Sequence, residues 1–232
     1  MLTAADVMTT DVIAITPETP IRDIAKLLHA RRISGVPVVD ANKAVIGLVS
    51  EGDLMKHVDA IGEQQQRRSW WLTLFAGEGM LARDYAKIHG RLAKDVMTSE
   101  VIAVRPTASL AEIATTLERH RIKRTPVVQD GRLVGIVTRS NLLQALATSD
   151  VSKPASLDDR TIRERLLAKL DAQPWAHMLL KNIIVEDGIV HFWGFVENDE
   201  EHRALQIAAE NTPGVKAVED HLARYPTSAG TG

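Results

Sequence analysis

Two short segments carry the side chains whose types and spacing are best suited to chemistry. One reads Gly47-x-x-Ser50-x-x-Asp53 and the other Gly135-x-x-Thr138-x-x-Asn141. Each lies where a predicted strand passes into a predicted helix, so a hydroxyl and a side-chain oxygen meet there. A carboxylate at this position accepts hydrogen bonds from two vicinal hydroxyls, such as those of ribose, and its charge strengthens these bonds. The N–H groups at the helix start favour an anion.

The two segments belong to an internal repeat. Asp6-Val7-Met8-Thr9 recurs as Asp95-Val96-Met97-Thr98, and Pro37-Val38-Val39 recurs as Pro126-Val127-Val128. Residues 6–39 and 95–128 share 16 identities in 34 positions at an offset of 89, which becomes 88 at the glycine segments. The apolar spacing in each copy predicts the order β-α-β-β-α. A unit of about 55 residues is marginal alone, so we expect the two copies to share a core.

The two copies resemble a tandem pair of CBS domains, also called a Bateman module. The resemblance is carried by the D-V-M-T segments, the P-V-V strands and the glycine segments, which occur in this order twice. It implies an α/β (α+β) fold whose clefts bind an adenosine-containing regulatory ligand, namely AMP, ADP, ATP or S-adenosylmethionine. The candidate ligand residues of copy one are Ser50, Asp53 and Thr16.

The copies differ in charge. Asn141 stands where copy one has Asp53, and an amide has no charge and adds donors. Copy two has cations instead: Lys123, Arg124 and Arg139 join Thr138 and Asn141 as its candidate ligand residues. In the family, a basic residue two positions before the proline contacts phosphate, which Arg124 resembles. We expect the better ribose site in copy one. The split indicates either two different ligands or one cleft that uses both copies.

Simpler roles for the same residues stay open. Asp53 is also a suitable N-cap for the helix that continues through Leu54, and Arg124 is also suited to be a solvated surface charge. Many CBS pairs serve only to dimerise. A ligand-free scaffold that presents its C-terminal domains is therefore the alternative function.

Residues 59–90 are longer than a linker between the copies requires. They include Trp70 and Trp71 in a segment that predicts two short helices separated by Gly77 and Gly79. Adjacent tryptophans are costly to expose, so we expect them to pack on the pair or across a homodimer. A membrane-surface helix or a partner-docking segment is the alternative.

The C-terminal third predicts a second small domain. After a linker at residues 149–156, the order is α-β-β-α-β, with the first helix capped by Ser156 or Asp158 and a hairpin turn at Asp187-Gly188. Residues 157–225 resemble a BON domain, and Gly188, Gly194 and Gly214 carry the resemblance. It implies that this domain binds a protein or a phospholipid surface. Residues 226–232 predict a disordered tail.

Composition excludes several classes of protein. The 232 residues contain no cysteine, which rules out disulfides, Cys-ligated metals and cysteine nucleophiles. The net charge of −2 argues against a nucleic-acid partner. No apolar run approaches the ~20 residues that span a bilayer, and no signal peptide is visible, so we expect a cytoplasmic protein.

No catalytic motif is recognised, and the eight histidines form no His-x-x-x-His pair. The sequence therefore predicts a non-enzymatic regulatory protein that needs no metal. It would bind a nucleotide, dimerise through its CBS pair and couple both to a BON-like domain. The predicted boundaries are 1–58 and 91–148 for the two CBS repeats and 157–225 for the BON-like domain.

Overall fold

The computed structural model describes residues 2–62, 91–148, 156–176 and 181–224. The predictions for Trp70 and Trp71, for most of the linker and for the tail therefore lie outside the described residues. The chain is a mixture of helices and strands, which confirms the α/β (α+β) expectation. No helix in the described ranges is long and apolar enough to cross a membrane.

The chain divides into two compact units. The first-copy unit is Ile13–Val101 with Asp130–Leu133, and the second-copy unit is Met1–Val12, Ile102–Gln129 and Val134–Gly232. The amino-terminal residues thus belong to the unit that contains the second copy and the C-terminal domain.

In chain order the first helix, α1, is Ala4–Val7 and belongs to the second-copy unit. The first-copy unit contains α2 (Ile21–Arg31), β1 (Gly35–Val39), β2 (Val45–Ser50), α3 (Glu51–Gly62) and α4 (Ala93–Val96). β1 and β2 are antiparallel. The strand predicted at residues 12–15 is reduced to a single parallel bridge between Ile15 and Val38. The core is formed by Ile24, Leu28, Val36, Val38, Val49, Leu54 and Val96, among others.

The second-copy unit begins with α1 and continues with α5 (Leu110–Arg119), β3 (Arg124–Gln129), most of β4 (Arg132–Thr138) and α6 (Arg139–Thr148); the first two residues of β4 are assigned to the first-copy unit. α5 has an amphipathic pattern and begins with a Ser109–Glu112 capping box. Its buried face packs with α1 in one core, which contains Leu2, Ala4, Val7, Ile113, Leu117, Val127, Val137 and Ala145.

The C-terminal domain has the predicted α-β-β-α-β order. Its elements are α7 (Leu157–Asp171), β5 (Lys181–Glu186), β6 (Ile189–Val196), α8 (Asp199–Glu210) and β7 (Ala217–Arg224). β6 pairs antiparallel with β5 and parallel with β7. Ser156 rather than Asp158 caps α7, since its hydroxyl accepts the Asp159 N–H at 2.9 Å. Asp187 and Gly188 have φ of 50° and 80°, as a tight type I′ hairpin turn requires.

The first D-V-M-T segment packs with the second copy. Asp6 closes the capping box of α1, whose N-cap is Thr3, by accepting the Thr3 N–H at 2.8 Å. Val7 is fully buried. Met8 covers Gly135, because a Cβ built on that glycine would lie 2.4 Å from the Met8 sulfur. Thr9 exchanges two backbone hydrogen bonds of 3.0 Å with Ile136. Residues 6–9 therefore lie across β4 through Met8 and Thr9, and this segment is called the strap below.

The second D-V-M-T segment does the same in the first-copy unit. Met97 covers Gly47, where an added Cβ would lie 2.3 Å from its sulfur. Thr98 and Leu48 exchange backbone hydrogen bonds of 2.9 and 3.0 Å. Each motif thus completes the sheet of the other copy, and each strand glycine is required by the methionine that lies on it.

We predict that Gly135→Ala lowers the free energy of unfolding by about 1–3 kcal/mol, because overpacking displaces Met8 and presses on the backbone. The added Cβ would also lie 3.2 Å from the Thr9 carbonyl oxygen, which cannot move without bending the strap. Urea denaturation of the full chain measures the change.

The matched control is Gly52→Ala in α3, where the nearest atom to an added Cβ is the Ser50 hydroxyl at 3.6 Å. Alanine is favoured over glycine in a helix, so this variant should be neutral or more stable. Equal destabilisation of the two variants would contradict the strap contact.

Candidate functional site

The copy-one segment forms a compact hydrogen-bonded turn between β2 and α3. Ser50 is the last residue of β2, and Asp53 is the third residue of α3. The Ser50 N–H and hydroxyl both donate to Asp53 Oδ2, at 2.9 and 2.7 Å. The helix begins at Glu51, so Asp53 closes a capping turn from inside the helix instead of serving as its N-cap.

The two oxygens of the Asp53 carboxylate differ in their hydrogen bonds. Oδ2 is used by Ser50, whereas Oδ1 accepts no hydrogen bond from any residue that the structure describes. The side chain is partly exposed. The hydrogen bonds that close the turn use only Oδ2, so they are compatible with the ligand role that the sequence predicts for Asp53.

Thr16 lies away from this turn. Ile15 pairs in parallel with Val38, so Thr16 continues past the far end of β1, whereas Ser50 is opposite Gly35 at its start. Four residues of extended strand correspond to about 13 Å. The Thr16 hydroxyl instead lies 3.2 Å from that of Thr19. The structure does not bring Thr16 together with Ser50 and Asp53.

The copy-two segment repeats the same turn with different free atoms. The Thr138 N–H and hydroxyl donate to Asn141 Oδ1 at 2.8 and 2.7 Å. Because Oδ1 must accept both bonds, the amide nitrogen is the atom that points away from the turn. Asn141 is buried. Copy one therefore presents an acceptor where copy two presents a donor.

Cationic side chains cluster around the start of α6. The Arg139 N–H donates to the Lys123 carbonyl oxygen at 3.1 Å, which joins the residues before β3 to the first turn of α6. Arg124 is the first residue of β3, and the side chains of Lys123 and Arg139 are exposed. The structure thus brings Lys123, Arg124, Thr138, Arg139 and Asn141 together at one end of the copy-two sheet.

The backbone at this helix start is less available to an anion than the sequence implied. The Arg139 N–H is used by Lys123, and the Asn141 N–H donates to the Thr138 hydroxyl at 3.3 Å. Attraction for an anion at α6 must therefore come mainly from the lysine and arginine side chains.

A buried arginine joins the C-terminal domain to the second copy. Arg163 of α7 donates to the carbonyl oxygens of Ile183, Ala5 and Met8 at 2.8, 2.8 and 2.7 Å. Burial lowers the pKa of Arg163 to about 10, against the opposing charges of Asp6 and Glu164. The guanidinium stays protonated near neutral pH and clamps the D-V-M-T strap to α7 and β5.

Asp6 adds an ion pair to the same contact. Arg160 donates from Nε and Nη2 to the two carboxylate oxygens of Asp6, at 2.8 and 3.0 Å. Burial raises the pKa of Asp6, but hydrogen bonds from Arg160 and Thr3 outweigh it and hold the pKa below its usual value. The motif aspartate of copy one thus caps a helix and binds the C-terminal domain.

The face of the β5–β6 sheet completes the contact. Asn182 donates to the Val7 carbonyl oxygen at 3.0 Å and to Gln144 of α6 at 3.1 Å. The Trp193 indole donates to the Thr148 hydroxyl at 3.1 Å. Ile184 is fully buried in the core of the second copy. This packing makes the C-terminal domain and the second copy one unit.

Sequence reasoning missed Arg160 and Arg163. They face Asp6 and the strap across more than 150 residues of chain, so local periodicity does not reveal the pairing. The available signal was an arginine at position 163 on the same helical face as the apolar Ile162 and Leu166, which is unusual for a charged side chain.

Family models match most of the described chain. The CBS domain model matches residues 4–60 and 93–148, and the BON domain model matches residues 158–224. These matches agree with the repeat and with the C-terminal domain that the structure contains.

Two curated relatives and one crystal structure illustrate the likeness. CBS domain-containing protein CBSX2, chloroplastic, from Arabidopsis thaliana is 32% identical over 140 residues, which are 56% of this chain and 57% of that protein. Uncharacterized protein MJ1426 from Methanocaldococcus jannaschii is 30% identical over 145 residues, 58% of this chain and 85% of that protein. The crystal structure of CBSX2 in complex with AMP has a TM-score of 0.55 and 29% identity, and the match covers 65% of this chain and 99% of that chain.

The matches to the curated relatives cover only part of this chain and only part of each relative. This chain spans 57% of the length of CBSX2 and 59% of that of CBSX1. The matched regions of these relatives correspond to little more than half of this chain.

We predict that Arg163→Met lowers the free energy of unfolding by about 3 kcal/mol, because three buried carbonyl oxygens lose a charged donor. Arg165→Met on the same helix is the control, since Arg165 is exposed and surface changes cost about 0.5 kcal/mol or less. Urea denaturation followed by tryptophan fluorescence measures both. Equal stabilities of the two variants would contradict the clamp.

Proposed function

Because this chain belongs to the CBS-domain proteins and carries a BON domain after its CBS pair, we propose that it is a regulatory protein that binds an adenosine nucleotide. In this proposal the CBS copies bind the nucleotide, and the BON domain passes the binding event to a partner. AMP is the preferred candidate, ahead of ADP, ATP and S-adenosylmethionine, because the structurally similar CBSX2 crystallised in complex with AMP.

The proposal depends on Asp53 Oδ1, which accepts no hydrogen bond from the described part of the chain. A charged acceptor at the rim of a strand-to-helix turn binds vicinal ribose hydroxyls, and charge assistance makes such bonds worth about 1.5–3 kcal/mol each. The capping bonds from Ser50 hold the carboxylate in place before the ligand arrives. A preorganised acceptor loses less conformational entropy on binding.

In copy two we propose a separate site for a phosphate group. Lys123 and Arg139 are exposed cations at one end of the sheet, and Asn141 offers a neutral donor instead of a carboxylate that would repel phosphate. A phosphate there would be bound mainly by charge, so its affinity should fall with salt.

The clamp at Arg163 supports the coupling part of the proposal. The D-V-M-T strap contacts β4 of the second copy through Thr9 and the BON domain through Asp6 and Met8. A ligand couples two elements only if it binds their alternative arrangements with different affinities. We propose that nucleotide binding at copy two shifts the strap and thereby changes how the BON domain meets a protein or a phospholipid surface.

Asp53→Asn is the decisive variant. Asn141 makes the same two capping bonds in copy two, so asparagine should preserve the turn and remove only the charged acceptor. We predict that AMP and adenosine both bind about tenfold or more weakly, as the loss of one charge-assisted bond implies. Calorimetric titration of nucleotide-stripped protein measures this, and unchanged affinity would refute the ribose role.

Two variants test the copy-two site separately from the Asp53 turn. The double variant Lys123→Ala, Arg139→Ala should weaken AMP binding at copy two but leave adenosine binding at the Asp53 turn within about twofold, because adenosine has no phosphate for these cations to attract. Asn141→Asp should leave the fold intact and weaken AMP through repulsion. If neither nucleotide nor nucleoside binds the wild-type protein, the sensor proposal is wrong.

A dimerisation scaffold is the second candidate, and α6 favours it. Leu143 and Leu146 of this helix are 65% and 61% exposed, which is costly for large apolar side chains on one helix. A second copy of this chain would cover both. Such a scaffold would present two BON domains without any need for a nucleotide.

We predict that the wild-type chain sediments as a dimer at micromolar concentration and that Leu143→Lys with Leu146→Lys shifts it to monomer. A lysine at the centre of an apolar interface is buried without a partner, which is costly. The dissociation constant of the dimer should therefore rise at least tenfold. The control is Thr115→Lys, because Thr115 is an exposed residue of α5. A wild-type monomer at every concentration would exclude the scaffold.

A further inference from the structure

Three side chains with metal-binding atoms converge on the sheet of the BON domain. His191 lies on β6, and Glu219 and His221 lie on β7. The parallel pairing sets His191 opposite Glu219 and Trp193 opposite His221, so all four side chains share one face. No motif shows this cluster in the sequence, because the two strands are separated by helix α8.

The spacing of the three ligand atoms fits one ion. His191 Nδ1 lies 3.4 Å from His221 Nε2 and 3.4 Å from Glu219 Oε2. His221 Nε2 lies 3.9 Å from Glu219 Oε2. Metal–ligand distances of about 2.0–2.1 Å in a tetrahedral zinc site give ligand–ligand edges of about 3.3–3.4 Å. The three atoms therefore already form a triangle close to one face of that tetrahedron.

The surroundings leave room for a fourth ligand. His191 is buried, whereas Glu219 and His221 are exposed, so the outer side of the triangle is open to water. Trp193 stacks on His221 with ring centroids 4.0 Å apart and forms one border of the cluster. The two imidazole rings are parallel within 4°. Both imidazoles would have to turn about χ2, which is a broad torsion for histidine, before both nitrogen lone pairs point at a common ion.

We propose that His191, Glu219 and His221 form a binding site for Zn²⁺ or a similar divalent transition-metal ion. Two imidazoles and one carboxylate suit zinc, and they disfavour Mg²⁺ and Ca²⁺, which prefer a shell of oxygen atoms. The ion fixes β6 to β7 beside the Trp193–Thr148 hydrogen bond that joins the BON domain to the second copy. The site requires neither the nucleotide nor the CBS clefts.

The test uses the full untagged chain after dialysis against EDTA, titrated with Zn²⁺ in a calorimeter and with Co²⁺ in a spectrophotometer, without nucleotide. We expect one ion per chain and the strong visible bands of tetrahedral Co²⁺. His221→Asn and Glu219→Gln should each weaken Zn²⁺ binding at least about tenfold, because each removes one ligand and both positions are exposed. Millimolar Mg²⁺ should not compete.

His202→Asn is the matched control. His202 lies in the same domain and also contacts a carboxylate, that of Asp220, but is no part of the cluster. This variant should keep wild-type Zn²⁺ affinity and the Co²⁺ spectrum. Thermal unfolding in EDTA confirms that each variant is folded.

Three results would overturn the proposal. They are failure of the wild-type chain to bind Zn²⁺, unchanged affinity in both His221→Asn and Glu219→Gln, and equal loss in His202→Asn. Because nucleotide is absent throughout, none of these results bears on the Asp53 site.

Discussion

The buried guanidinium of Arg163 holds together parts of the chain that the sequence keeps far apart. It donates to the carbonyl oxygens of Ala5 in α1, of Met8 in the strap and of Ile183 in the BON domain. A buried charge is tolerated only when its donors are hydrogen-bonded. Moving the strap or the BON sheet would leave guanidinium donors of Arg163 unpaired and would therefore cost free energy. The BON domain is consequently packed on the second copy instead of trailing from it.

The strap itself depends on an exchange between the repeats. Met8 lies on Gly135 of the second copy, and Met97 lies on Gly47 of the first. Only a residue without Cβ leaves space for the methionine. The glycine at the start of each ligand segment and the methionine of each D-V-M-T segment are therefore partners in packing, although they lie in opposite halves of the repeat.

The two ligand segments share one geometry and differ in one atom. Asp53 and Asn141 each accept a backbone N–H and a hydroxyl through a single oxygen, so both turns fold in the same way. The side-chain atom that these bonds do not use is a charged acceptor, Oδ1, in Asp53 and a neutral donor, the amide nitrogen, in Asn141. Lys123 and Arg139 also lie near the second turn, so the two turns differ in local charge as well as in this side-chain atom.

The sequence by itself determined the repeat, the order of elements, the family resemblances and the chemical difference between Asp53 and Asn141. These depend on residue identity and on local spacing, which a linear pattern records. Only the tertiary structure decided that Thr16 lies away from Ser50, that Asp6 also binds Arg160, and that His191 meets Glu219 and His221. These outcomes depend on strand register and on contacts between residues 28 to 158 positions apart, which no local pattern encodes.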